Sequence, residues 1–301
     1  MTATTSPEPI VPAVGHEPAN SGARPRDLAL RRVLIVARSD IRQLLEDRGF
    51  WIPMVILGAI FFLVIPTILL FTITEIGDVT VVNQMSQTLK VLPKEAQAQV
   101  RGTSPEGRTS YALAVFLLAP VAVVVPLTIS TAIGASTIVG ERERGTGEFL
   151  AHSPAHVHEI YLGKLIASLL PGYLTTLVGF GTYSLIVNLF VGPEVGGWFF
   201  PTRQWWVLML WVVPPFLALT LSIVLRLSAK VKSSAAAQQA AGLVTLPMIG
   251  IAYSQSTGAL FGASASGFWI GLVAWLLASL GLTRGMRAVS RSRLLGVDDQ
   301  V

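Results

Sequence analysis

The sequence predicts an all-α polytopic membrane protein with about six transmembrane helices and an N-terminal amphipathic interfacial helix. Three observations carry that class. The chain of 301 residues is 52% hydrophobic and only 13% charged, well short of the charge of a soluble domain. Its apolar residues come in runs of about 20, the length of helix that crosses the hydrocarbon core of a bilayer. Its lysines and arginines are spread unevenly between alternate loops, as membrane topology requires.

Taken in order, residues 1–25 hold Pro7, Pro9, Pro12, Pro18 and Pro25 among small and polar residues and read as a disordered cytoplasmic tail. Residues 26–50 carry Leu30, Val33, Leu34, Ala37, Ile41, Leu44 and Leu45 at three- and four-residue steps. Arg31, Arg32, Arg38, Arg42 and Arg48 lie mostly elsewhere on the helical wheel, which describes a helix suited to the headgroup plane. Residues 51–301 form the transmembrane domain. Its spans are read at Trp51–Ile73, Tyr111–Val139, Tyr161–Val191, Trp205–Leu225, Ala240–Ser256 and Phe268–Leu282. An outer loop at 74–110 and a cytoplasmic loop at 140–160 interrupt them. The fifth span contains Pro247 and runs into the small and polar stretch Ser254 to Gly267, so a broken or re-entrant segment is open there.

Seven basic residues precede the first span. Three lie in or just after the 140–160 loop (Arg142, Arg144 and Lys164), three follow the fourth span and four follow the sixth. The opposite side holds five: Lys90, Lys94, Arg101, Arg108 and Arg203. That bias places both termini in the cytoplasm and accounts for a pI of about 9.8 without nucleic acid.

Several chemistries find no support. With no cysteine, thiolate metal sites and cysteine nucleophiles are excluded. No span carries an ionisable residue in its middle, which weighs against an ion- or proton-coupled carrier. No G-x-x-x-x-G-K-[ST] phosphate loop, G-x-S-x-G elbow or H-E-x-x-H pair occurs. His152, His156 and His158 cluster within seven residues, but the last two point to different faces of a helix and lack a completing ligand set. Pro120, Pro126, Pro214, Pro215 and Pro247 lie within spans, where kinks are tolerated. Thr128, Ser130, Thr131, Thr182, Asn188 and Gln255 are polar residues available to line a path or to bond between helices.

The distinctive segment joins the second and third spans. Glu141 to Arg144 alternates charge at the end of one helix, Gly145 and Gly147 break it, and the apolar pair Phe149 and Leu150 follows. Ser153 as N-cap and Pro154 at the first helical position then begin the next helix. An apolar pair rimmed by charge suits docking into a groove on a soluble partner. The pattern formed by Glu141, Glu143, Gly145, Thr146, Glu148, Leu150, Pro154, Ile160, Gly163 and Lys164 resembles the permease subunits of ABC transporters of the ABC-2 type.

That resemblance implies a six-span channel half in the cell membrane whose 140–160 loop forms a coupling helix on an ATPase subunit. The coupling residues would be Glu141, Glu143, Gly145, Thr146, Glu148, Phe149, Leu150, Pro154, Gly163 and Lys164. It implies an ABC ATPase subunit as partner, with ATP and Mg bound there and no cofactor in this chain. A second permease copy or a paralogous permease would complete the path among membrane lipids. It implies an ATP-driven exporter that is not itself an enzyme. The alternative reading is a non-transporting membrane anchor or regulator of an ATPase partner.

Overall fold

The computed structural model describes residues 25–76, 94–143, 153–231, 233, 235–243, 245–246 and 266–288. Among these, every regular element is a helix. Helix α1 (Pro25–Glu46) is followed at Asp47 by a cap, whose carboxylate accepts from the Gly49 N–H at 2.9 Å and starts α2 (Arg48–Ile76). The short α3 (Lys94–Gln99) leads to α4 (Pro105–Ala112) and α5 (Val121–Glu143). Then come α6 (Val157–Phe190), the single turn α7 (Gly192–Val195) and α8 (Arg203–Ser228). A helical stretch at 235–243, α9, precedes α10 (Ser266–Ala288).

Five of these segments are long and apolar enough to cross a membrane: Arg48–Ile76, Pro105–Gly140, Val157–Phe190, Arg203–Ser228 and Gly267–Met286. They match the first, second, third, fourth and sixth spans read from the sequence. Most of the fifth lies outside the described residues. The second span starts at Pro105 instead of Tyr111 because Ser104 accepts from the Gly107 N–H at 2.9 Å and caps a helix there. That shortens the outer loop.

The segments at 105–140 and 203–228 are mostly buried and form the centre of the bundle, with α6 and α10 packed against them. Small residues set the spacing. A Cβ on Gly172 of α6 would collide with Ser130 Oγ of α5, and one on Gly134 would lie 2.8 Å from Leu221 of α8. By contrast, α2 and α10 turn Ile56, Leu63, Ile68, Val273, Leu276 and Leu280 outward, as lipid-facing or partner-facing helices do.

Three spans widen to π-helical turns close before a proline, at Ile60–Val64, Leu113–Leu117 and Leu208–Val212, and the first span also ends in a π-helical turn at Thr72–Ile76. Pro66, Pro120 and Pro214 follow within a few residues. A proline lacks an N–H and clashes with the preceding turn, so the helix rewinds just before it. Carbonyls in two of these turns are taken up by side chains from other helices: Tyr183 donates to Ala114 O at 2.6 Å, Trp205 to Val115 O at 3.0 Å and Tyr173 to Met209 O at 2.9 Å. In an apolar medium such bonds replace the ones the kink forfeits.

Candidate functional site: the loop end of the bundle

Helix α5 ends at Glu143 and α6 starts at Val157. Ser153 to Ala155 form bends, and the residue that precedes the helix is His156, not Ser153. The start shifts because Glu159 supplies the acidic residue of the first turn, and its Oε2 accepts from the His156 N–H at 2.8 Å. His156 and His158 stack with ring centroids 5.4 Å apart. This corrects the expectation that they diverge: His156 is still outside the helix, so the helical angle between the two positions does not apply.

The first two turns of α6 are covered by α1. Arg32 forms a two-pronged pair with Glu159, Nε to Oε2 at 2.8 Å and Nη2 to Oε1 at 2.7 Å, with the Glu159 side chain 1% exposed. Hydrogen bonding to that carboxylate raises the Arg32 pKa above its ordinary value. One turn along α1, Val36 rests on Gly163, where a Cβ would come within 2.7 Å of it. A further turn along, Asp40 accepts from Lys164 Nζ at 3.4 Å, and the same ammonium donates to Thr137 O of α5 at 3.2 Å. Arg32, Val36 and Asp40 are spaced i, i+4, i+8 and form one line of the helix. That line fastens α1 to α6, and Lys164 ties both to α5.

A family model described as "ABC-2 family transporter protein" matches residues 34–268. The chain belongs to this family. No curated protein matches it. As an ABC-2 membrane domain it is a permease of an ABC transporter, and permeases of this family lack an ATPase motif of their own.

The candidate coupling residues of this ABC-2 permease fall into three groups. Gly145, Thr146, Glu148, Phe149 and Leu150 lie outside the described residues. Glu141 and Glu143 are in the last turn of α5, with Glu143 exposed, and Pro154 is exposed where the chain returns toward α6. Gly163 and Lys164 are buried beneath α1. Here Gly163 permits close approach of two helices, and Lys164 bridges three.

Asp40 was not singled out from the sequence, where Arg32 reads only as part of the basic side of the 26–50 helix and Glu159 only as a residue near the start of the third span; their pairing with one another and with Lys164 was not foreseen. Their signal was Asp40, an acid in the middle of a strongly basic helix whose other acids, Asp27 and Glu46, lie near its ends, with Arg32 two turns before it. The apolar set of α1 also divides: Val33 and Ala37 are buried, while Leu30, Leu34 and Leu45 stay more than half exposed.

Two cavities adjoin the loop end. One of about 260 Å³ is lined by polar groups including Asp40, Asp47, Ser136, Thr137 and Glu143. A more apolar one of about 340 Å³ lies between α2 and α5, bounded by Pro53, Leu57, Ile129 and Ile133. They share Phe50 and Gln238.

The polar residues noted within the spans mostly serve the fold. Thr128, Thr131 and Thr182 donate to carbonyls of their own helices. Asn188 donates to Phe200 O at 2.6 Å and accepts from the N–H groups of Phe199 and Phe200 at 3.0 Å each, which clamps the α7–α8 connection. Ser130 is buried with no partner for its hydroxyl among the described residues, and Gln255 lies outside them.

Proposed function

We infer that this permease is the membrane subunit of an ATP-driven exporter, driven by a separate ATPase subunit that docks on the 140–160 loop. The α1 end of the bundle would then face the cytoplasm, in line with its excess of basic residues. The observation that carries the reading is the fastening of α1, α5 and α6 around Arg32–Glu159 and Asp40–Lys164–Thr137. A push on the loop would reach three helices as one body. Coupling requires such an element, with two positions that nucleotide binding biases.

Two permease halves, identical or paralogous, would enclose the path. ATP and Mg would stay on the ATPase chains. The predominantly uncharged spans suit an apolar or amphipathic cargo better than a small ion.

The test is reconstitution of the permease with its ATPase in liposomes, with hydrolysis and flux measured together. The expected result is vanadate-sensitive hydrolysis that cargo stimulates, accompanied by ATP-dependent movement of that cargo. Hydrolysis indifferent to every cargo tried, with no flux, would establish the anchor or regulator instead.

A further inference from the structure

We propose that Arg31, Arg38 and Arg42 on the outer face of α1 form a site for anionic phospholipid headgroups. The argument starts from what α1 leaves uncovered. One face is committed to α6 through Arg32, Val36 and Asp40. Beside it Leu30, Leu34, Ile41 and Leu45 form a second line, three of them more than 60% exposed. Arg31, Arg38 and Arg42 form a third, adjacent line, all exposed.

Among the described residues Arg31 and Arg38 enter no salt bridge, and Arg42 meets only Glu46, at 2.9 Å across one helical turn. An exposed pair of that kind is worth little in water and leaves the guanidinium able to bond elsewhere.

An apolar line beside a cationic line matches two chemistries that occur together at a bilayer surface: acyl chains and phosphate. Arginine suits the second because its planar fork grips phosphate oxygens with two parallel N–H donors. A zwitterionic headgroup offers the same phosphate with a cancelling ammonium, so the net positive face selects anionic lipid. The leaflet follows from the orientation inferred above, whereas the chemistry of the site does not depend on it. Because the opposite face of α1 holds Glu159 and Lys164, lipid bound here would stiffen the helix that braces the start of α6.

Each basic residue near an anionic surface is worth about fivefold in association. The two arginines without an acidic partner among the described residues, Arg31 and Arg38, therefore give a preference of about 25-fold, to which Arg42, shared with Glu46, adds less. The test is native mass spectrometry of the full-length permease in detergent, titrated with phosphatidylglycerol or with phosphatidylcholine of the same acyl chains.

Wild type should retain phosphatidylglycerol about 25-fold more avidly than phosphatidylcholine. Arg31→Gln/Arg38→Gln/Arg42→Gln should remove most of that preference, and Arg101→Gln/Arg108→Gln/Arg203→Gln, at the other end of the bundle, should keep it. If the triple variant melts early, Arg38→Gln alone must lower the preference in folded protein. Equal retention of both lipids by wild type, or a preference that survives loss of the three α1 arginines, overturns the proposal. No ATPase enters the experiment, so its failure would leave the transport reading untouched.

Discussion

Glu159 shows how a single carboxylate joins local and tertiary structure. It accepts from the His156 N–H at the start of α6 and from two Arg32 nitrogens. Arg32 has a side chain 33% exposed, against 1% for Glu159, so the partners should not be equivalent on removal. Arg32→Leu strands a buried carboxylate, while Glu159→Gln leaves a guanidinium that water still reaches. Melting of the detergent-solubilised variants should therefore rank Arg32→Leu as clearly the less stable, and equal midpoints would show that the pair contributes little. Gly163 makes the steric counterpart. With Val36 2.7 Å from the position of its Cβ, Gly163→Val should cost about 1–3 kcal/mol through overpacking. It should also expose a cysteine placed at Val36 to water-soluble maleimide, which the cysteine-free background makes a clean readout.

At the scale of elements, the spans were legible because a run of about 20 apolar residues has few other folded uses. Of the prolines noted in the spans, Pro120 and Pro214 do follow π-helical turns, as does Pro66, which was not among them. What rescues those turns was not legible: Tyr183, Trp205 and Tyr173 reach Ala114, Val115 and Met209 across 69, 90 and 36 residues. The α1–α6 fastening joins residues 127 and 124 apart and was hidden for the same reason. Helical periodicity says which side of α1 is apolar, but not which apolar line meets protein and which meets lipid. The polar clamp at the far end gives another test. Asn188→Ala leaves two N–H groups and a carbonyl of the α7–α8 connection short of a partner, and unsatisfied buried groups cost about 1–3 kcal/mol each. A substantially lower melting midpoint is expected, with docking of the ATPase unchanged.

At the scale of the molecule, the bundle has a firm centre in its 105–140 and 203–228 segments and outward apolar faces on α2 and α10. Its loop end is braced by charged groups that the span interiors lack. That division fits a machine driven at one end. The family was legible because the Glu141–Lys164 pattern is dense, and the match over residues 34–268 places the chain in it. Cargo was not legible, since the polar side chains of the spans mostly spend their hydrogen bonds on the fold.

The central claim is that an ATPase drives this permease through the 140–160 loop. The most direct measurement is the yield of ATPase subunit that copurifies with tagged wild type and with Phe149→Asp/Leu150→Asp, at matched permease levels and melting temperatures. Loss of the ATPase from the variant alone is the predicted result. Full recovery of the ATPase with the variant would contradict it and move the docking surface elsewhere.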